Sequence, residues 1–255
     1  MSLIRLHHAR GITTLTLDSP QNRNALSTRL MRELLAALTD AGEDPQTRVV
    51  VLDHTGPVFC SGADLAETAA AASTGEMPAN ILGDILTAVA TCPKPVVAAV
   101  RGPARAGGVG LIAAADLAVC AETATFAFSE VRIGVIPALI SATVLPRLAP
   151  RAAAELFLTG EVFDGARAAS AGLVNLAVEA DKIDAVVHAW CASLVRGAPK
   201  ALAATKKLIA SMPGIADLGD LAVLSLEFFG SAEGREGVMA FREKRDPSWI
   251  PATSG

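Results

Sequence analysis

The sequence predicts an α/β fold, and two observations predict it. Three β-rich runs, residues 11–20, 49–57 and 95–103, end alike: Ser19-Pro20, Gly56-Pro57 and Gly102-Pro103 each close a run of Val, Ile, Leu and Thr. Proline fixes φ and cannot donate to a sheet ladder, so each pair reads as the end of a strand. Each run is then followed by a stretch with helical periodicity, a strand-then-helix unit that repeats around one core. The chain has 255 residues, 51% of them hydrophobic, enough for one large or two small domains without disulfide or metal staples.

Taken in order, Met1 to Asp18 alternates apolar and polar residues as a strand does, with no continuous apolar core of a leader peptide. Ser27 is placed to cap a helix running to about Gly42, with Leu30, Met31, Leu34, Leu35 and Leu38 on one face. After the second strand, residues 63–72 read as a helix, Ser73-Thr74-Gly75 as a loop and 81–90 as another helix. The third strand leads to a helix over 107–115 and a further strand over 117–120. Beyond Pro137 helices dominate, at 143–148, 151–158, 166–171, 183–194, 200–209 and 218–244, punctuated by Gly or Pro, with one strand at 173–178. The expected division is a core over residues 1–200 and a helical C-terminal region over 201–255.

Composition removes several function classes. Twenty-two basic residues against 26 acidic ones give a formal net charge of −4, so no global basic field exists to attract nucleic acid or an anionic membrane. No window reaches the roughly 18 consecutive apolar residues that a bilayer span needs, and the default location is the cytoplasm. Cys60, Cys92, Cys120 and Cys191 form no Cys-x-x-Cys pair and have no His at ligand spacing, so no metal site is expected. His7 and His8 are adjacent, but neighbours in a strand face opposite ways. With no tyrosine in the chain, carboxylates, a few histidines and backbone amides are the candidates for acid, base and anion-stabilising roles.

Three constellations can carry chemistry. In Phe59-Cys60-Ser61-Gly62-Ala63-Asp64-Leu65, a glycine before a helix start exposes backbone N–H groups that can bind a developing anion; alternatively this is a plain strand-to-helix turn with Asp64 complementing the dipole. No nucleophile elbow surrounds Cys60 or Ser61, so both read as structural or contact residues. In Arg101 to Leu111, Gly108-Val109-Gly110-Leu111-Ile112-Ala113 fits a dinucleotide fingerprint, but Gly102-Pro103 ends the strand several residues earlier than that fingerprint requires. The other reading is that Gly107 and Gly108 admit a substrate close to the backbone at a helix start. In Phe126 to Pro137, Glu130 sits among apolar neighbours. Burial would raise its pKa toward the range of general acid-base catalysis, whereas a surface strand would pair it with Arg132 on the same face.

Ser61-Gly62-Ala63-Asp64-Leu65, Gly102…Gly107-Gly108 followed by Ala114-Ala115-Asp116-Leu117, and Phe128-Ser129-Glu130 to Ile136-Pro137 occur in the order and spacing of the enoyl-CoA hydratase/isomerase (crotonase) family. Asn24-Ala25-Leu26, Leu158-Thr159-Gly160-Glu161, Ala171-Gly172-Leu173-Val174 and Glu236 to Arg245 extend the resemblance over nearly the whole chain. The resemblance implies a crotonase-like ββα spiral core with a helical C-terminal trimerisation region, assembled as a homotrimer or homohexamer. It implies that the N–H groups of Ala63 and Gly107 hold the thioester oxygen of an acyl-CoA and that Glu130 is the general acid-base. It also implies that Asn24, Ala25, Leu26, Ser61, Ala63, Asp64, Leu65 and Gly107 line the CoA site, with Lys244 or Arg245 approaching phosphate from a neighbouring subunit. No cofactor is implied beyond CoA, which enters as part of the substrate.

One departure stands out. Two-glutamate hydratases of the family carry a carboxylate on the helix after the glycines, where this chain has Gly110. The expected activity is water addition to a 2-enoyl-CoA. The alternatives are a Δ3-Δ2 enoyl-CoA isomerase using one glutamate, a methylglutaconyl-CoA-type hydratase, which Gly110-Leu111, Ser129-Glu130-Val131 and Ile136 to Ser141 together resemble, a non-catalytic acyl-CoA binder, and the NAD-dependent oxidoreductase of the glycine fingerprint.

Overall fold

The computed structural model describes residues 2–64, 67, 79–211, 223, 225–228 and 230–251. Strands β1 (Ile4–Ala9) and β2 (Ile12–Leu17) form an antiparallel hairpin. Its two loop residues, Arg10 and Gly11, both have positive φ (52° and 76°), the geometry that matches a two-residue turn to the twist of its strands. Strands β3 (Val49–His54), β4 (Val96–Val100), β6 (Leu117–Ala121) and β9 (Leu176–Val178) continue the sheet in the order β1-β2-β3-β4-β6-β9, parallel from β2 onward. Every side chain of β4 is buried, as expected where helices cover both faces of a parallel sheet. A second sheet joins β5 (Ala104–Arg105), β7 (Thr125–Ala127) and β8 (Phe163–Asp164).

Helix α1 (Thr28–Glu43) starts as its sequence dictates. The Ser27 hydroxyl accepts the Leu30 N–H, and Leu30, Met31, Leu34 and Leu38 are buried at helical spacing. Ser27→Ala is expected to lower the unfolding free energy by about 1 kcal/mol in a urea titration, the usual worth of such a cap. Helices α2 (Ala79–Thr91), α3 (Gly107–Ala114) and α4 (Ala138–Val144) pack on one another. Then come α5 (Pro150–Thr159), α6 (Gly165–Ala171), α7 (Ile183–Leu194), α8 (Pro199–Ser211) and α9 (Ala232–Glu243). Among the described residues no helix is long and apolar enough to cross a membrane.

Several expected boundaries shift for identifiable reasons. The helix expected over 143–148 instead occupies Ala138–Val144, because Pro146 cannot continue it. The last strand begins at Leu176 rather than at 173, because Gly172 (φ 93°) ends α6 and the Leu173 N–H returns to the Ala168 carbonyl. The helix expected over 63–72 does not include Ala63, which makes a bridge to Leu26; most of that segment and the loop at 73–75 lie outside the described residues. The helix expected over 218–244 is interrupted at Ser231, whose hydroxyl caps α9 by accepting the Gly234 N–H.

Residues past 200 are tied to the core. The Lys206 ammonium reaches the Asp116 carboxylate at 2.8 Å and the Val89 carbonyl at 3.0 Å. The buried guanidinium of Arg48 donates to the carbonyls of Gly197 and Trp249.

Candidate active site

Three extended segments leave a common ladder at the same end. Cys60 bridges Ala104 in parallel, with Phe59 N–H donating to Pro103 O and Arg105 N–H to Cys60 O, both at 3.0 Å. Ala104 and Arg105 in turn pair in parallel with Phe126 and Ala127. Parallel strands run out of a ladder in one direction, so this register delivers Ala63, Gly107 and the Ser129-Glu130 turn side by side. Gly62 supports that reading: a Cβ built on it would lie 3.1 Å from the Ala106 Cβ and 3.3 Å from the Arg105 carbonyl oxygen. Its φ of 92° is one that other residues rarely adopt, so glycine is required both for the turn and for the close approach.

Two backbone donors face this end. In the Leu26–Ala63 bridge the Leu26 N–H donates to the Gly62 carbonyl at 2.8 Å; a parallel bridge of this kind uses the groups flanking Ala63, so the Ala63 N–H points away from the Leu26 strand. Gly107 is the first residue of α3, where an N–H has no acceptor within its own helix. The preceding Ala106 adopts φ 47° and ψ −120°, a strained conformation for a residue with a Cβ. Such residues cost about 1–3 kcal/mol and persist where surrounding structure over-determines them. At the far end of α3, Arg147 donates to the Ala113 and Ala115 carbonyls at 3.1 and 3.0 Å, placing a cation at the negative pole of the helix whose positive pole faces the site.

Glu130 is not in a strand, contrary to the reading that would pair it with Arg132. Ser129–Ile133 is a 3-10 turn, and the Arg132 guanidinium goes instead to the Thr159 carbonyl at 3.1 Å. One Glu130 carboxylate oxygen, Oε2, is buried without a hydrogen-bond partner, the only carboxylate oxygen so placed among the described residues. Burial raises its pKa from the usual carboxylate value, partly offset by the bond from its own backbone N–H. A carboxylate held this way takes up a proton more readily than a solvated one and can return it.

The departure at Gly110 has a packing cause. A Cβ there would lie 2.7 Å from Ile140 Cγ2, 3.2 Å from Ile140 Cβ and 3.3 Å from Leu86 Cδ2. The Thr143 hydroxyl donates to the Gly110 carbonyl at 3.1 Å and fixes α4 against α3. Side chains of α2 and α4 thus fill the space that a residue larger than glycine would need.

The remaining expected site residues divide between the site and its supports. Asn24 is fully buried: its Oδ1 accepts the Ser19 N–H at 2.8 Å, and its Nδ2 donates to the Thr55 and Val58 carbonyls at 3.0 and 2.8 Å. It is a strut beneath the site, and Ala25 and Leu26, which follow it, are buried as well. The Ser61 N–H is held by the Arg23 carbonyl. Asp64 accepts from the Asn22 amide and from the Glu67 N–H, and the Glu67 carboxylate accepts the Thr28 N–H at 2.7 Å. These bonds pin the chain on the C-terminal side of Ala63. Leu65 lies outside the described residues.

Lys244 is exposed and ends α9 with φ 55°. Arg245, its alternative as a phosphate contact, is instead held by both oxygens of Glu236, at 2.8 and 3.0 Å, and by Glu243; the guanidinium keeps the Glu236 carboxyl down at about 2.

The fingerprint glycines Gly108 and Gly110 lie inside α3 rather than at a strand end, which removes the dinucleotide reading. All four cysteines are buried, and burial pushes the Cys60 and Cys120 thiols up to about 12 and Cys191 to about 11. None is poised as a nucleophile, and Ellman's reagent is expected to label none in the folded protein and four after denaturation in urea. Two surface cavities, of about 360 Å³ beside Arg5, His7 and His54 and about 220 Å³ beside Asp116, Arg147 and Asn175, lie apart from this end of the ladder.

The family model for enoyl-CoA hydratase/isomerase matches residues 7–251. The chain belongs to this family. A Rhodobacter capsulatus relative named a probable enoyl-CoA hydratase is 38% identical over 252 residues, covering 96% of both chains. Among solved structures, Pseudomonas aeruginosa AtuE superposes with a TM-score of 0.91 at 35% identity, covering 97% of this chain and 99% of that one. An enoyl-CoA hydratase from Shewanella pealeana gives a TM-score of 0.91 at 30% identity over 97% and 96% of the two chains. The fold is therefore the crotonase fold.

Within the family frame, sequence reasoning missed two supports, the strained Ala106 and the Arg147 cap. Alanine carries no sequence mark of a positive φ, and Arg147 meets its carbonyls more than thirty residues away. An asparagine after a strand-ending turn was a usable signal for the strut at Asn24, whose φ of 52° is one that asparagine tolerates.

Proposed function

We propose that the chain is an enoyl-CoA hydratase, adding water across the double bond of a 2-enoyl-CoA, with Ala63 and Gly107 N–H as oxyanion donors and Glu130 as the acid-base. The observation that supports this reading is the parallel register from which the Ala63 segment, the start of α3 and the turn carrying Glu130 all leave the ladder at one end. Water oxygen bonds to C3, its proton passes to Glu130, and the π pair moves onto the thioester oxygen as an enolate held by the two N–H groups. The enolate then takes the proton from Glu130 at C2, and the carboxylate is regenerated. Donors aimed at the developing oxyanion act on the transition state, and loss of one costs about 10²–10³ in rate.

A second reading, Δ3-Δ2 isomerisation, is favoured by the packing of Ile140 and Leu86 against Gly110, which leaves no carboxylate on α3 to hold a water. Here Glu130 removes a proton from C2 and returns it to C4. Steady-state assays with crotonyl-CoA and 3-hexenoyl-CoA separate the two. Turnover of crotonyl-CoA to the 3-hydroxy product supports hydration; conversion of the 3-enoyl ester alone transfers the assignment to isomerisation. Binding of both esters with turnover of neither makes the chain an acyl-CoA binder.

In this reading the protein assembles as a homotrimer or homohexamer through its C-terminal helices. Helix α9 leaves Val238, Met239 and Phe241 exposed, the last at 85%. Lys244, exposed beside that face, would meet a phosphate of the neighbouring subunit's CoA. Sedimentation velocity checks the assembly: a monomer at micromolar concentration would reject it.

A further inference from the structure

A side chain splices the Ala63 and Gly107 segments together where they leave the main sheet. Strands β3 and β4 pair in parallel from Val50 and Val96 to Leu52 and Ala98. Past that point the connection runs through the ring of His54, the last residue of β3. Its Nε2 accepts the N–H of Arg101, the residue that follows β4, at 3.0 Å. From these two residues the chain continues as 55–63 and 102–107, the segments that end at the proposed donors. They touch at once: a Cβ on Gly102 would lie 2.0 Å from the Pro57 carbonyl oxygen, and the Phe59 N–H donates to Pro103 O at 3.0 Å.

The ring is specified for this bond. His54 is 7% exposed and stands edge-on to Phe59, with centroids 5.3 Å apart, so it grips the first segment by packing and the second by its nitrogen. Because Nε2 accepts, the imidazole is neutral and carries its proton on Nδ1. Burial, aided by the Arg101 charge and opposed by Asp53 and the Thr55 and Val58 carbonyls, holds its pKa below the usual histidine value and so favours the accepting form. Nδ1 itself is buried without a hydrogen-bond partner, while those two carbonyls accept from the Asn24 amide. An unpaired buried donor is a standing cost. A leucine of similar bulk would avoid it, but would leave the Arg101 N–H without its acceptor. What histidine adds here is that acceptor. The Arg101 guanidinium is anchored separately, on Asp53 of β3 and Asp184 of α7, so this residue is fixed at both backbone and side chain.

We propose that His54 is a positioning residue, which through its bond to the Arg101 N–H sets the spacing of the Ala63 and Gly107 N–H groups. The proposal rests on the donor assignment made above.

The test compares three substitutions. The amide of His54→Gln reaches the place of Nε2, that of His54→Asn ends near the place of Nδ1, short of Arg101, and His54→Leu has no acceptor. Thermal melts identify the folded variants, and if His54→Leu fails to fold the Gln and Asn pair decides. The first readout is the infrared carbonyl stretch of bound butyryl-CoA, isotope-labelled at the thioester carbonyl, a saturated ester that needs no turnover. Wild type and His54→Gln are expected to lower this frequency below that of the free ester in water, and His54→Asn and His54→Leu to lose most of the shift. The second is kcat with whichever of crotonyl-CoA and 3-hexenoyl-CoA is turned over. It is expected to fall by about 10-fold or more in the Asn and Leu variants with KM changing less than about 2-fold, because misplaced donors weaken the transition state more than the bound ester, and to stay within about 3-fold of wild type in His54→Gln. A carbonyl frequency equal in wild type and folded His54→Asn overturns the proposal and leaves the donors in place. Equal losses in the Gln and Asn variants also overturn it, since the ring would then serve packing alone. An unshifted carbonyl in the wild type removes the donors, and the proposal falls with them. If neither enoyl ester is turned over, the assigned reaction fails and the carbonyl shift decides the proposal.

Discussion

Glu130→Gln is expected to lower kcat by about 10²–10⁴, the range for removing a general acid-base, while KM changes little. The amide keeps the shape of the side chain and removes its capacity to take a proton. The same variant makes a second and opposite prediction. Burial raises the folded-state pKa of Glu130 above its unfolded value, so this group favours folding when protonated, and that contribution is lost as pH rises through the folded pKa. When ionised, the wild-type side chain is a charge with a partnerless buried oxygen, a cost that the neutral amide of glutamine does not carry. Glu130→Gln is expected to be the more stable protein at pH 7, with its advantage shrinking as pH falls through the usual carboxylate range. Urea midpoints at pH 7 and pH 4 check this. Loss of activity with loss of stability at pH 7 would instead mark Glu130 as a structural residue.

Gly110→Glu, which would supply the α3 carboxylate of two-glutamate hydratases, is expected to damage the protein rather than improve it. Its Cβ would fall 2.7 Å from Ile140 Cγ2, and overpacking of this kind costs about 1–3 kcal/mol before the charge is counted. For a chain of this size that is a fall of about 2–12 °C in Tm, increased further by placing a carboxylate against Ile140 and Leu86. Crotonyl-CoA hydration should not rise. Adding Ile140→Ala to the variant should recover part of the Tm by making room. A single variant that hydrates faster at unchanged Tm would show that Ile140 moves freely and that position 110 is open.

What was legible in the sequence follows from where each signal is stored. Strand ends at Ser19-Pro20, Gly56-Pro57 and Gly102-Pro103 and the face of α1 are local patterns, and β2, β3, β4 and α1 occur where those patterns put them. The helix expected over 143–148 spans Pro146, which a helix interior does not tolerate, and α4 accordingly ends at Val144. The neighbourhood of Glu130 could not be read locally: an isolated glutamate among apolar residues fits both a paired surface strand and a buried turn. Only the β5–β7 pairing and the diversion of Arg132 to Thr159 separate the two. Asn24 illustrates the converse. Its motif was visible, yet its side chain serves three backbone groups from two loops, and two of those groups, the Thr55 and Val58 carbonyls, lie more than thirty positions away.

The proposed donors at Ala63 and Gly107 are peptide groups, which gives the site an unusual mutational profile. Nineteen of the twenty amino acids present the same N–H, so ordinary substitutions can displace a donor but cannot delete it. Proline is the exception, and the two positions differ in how they would receive it. Gly107 opens a helix, where proline is sterically at home, so Gly107→Pro can subtract a donor while retaining the helix start, provided that Leu26 and Leu82 yield to the ring. Ala63 sits in a bridge between segments, where the same ring must be fitted beside Gly62 and Asp64. Inactivating substitutions should therefore concentrate on Glu130 and on changes that shift the ladder.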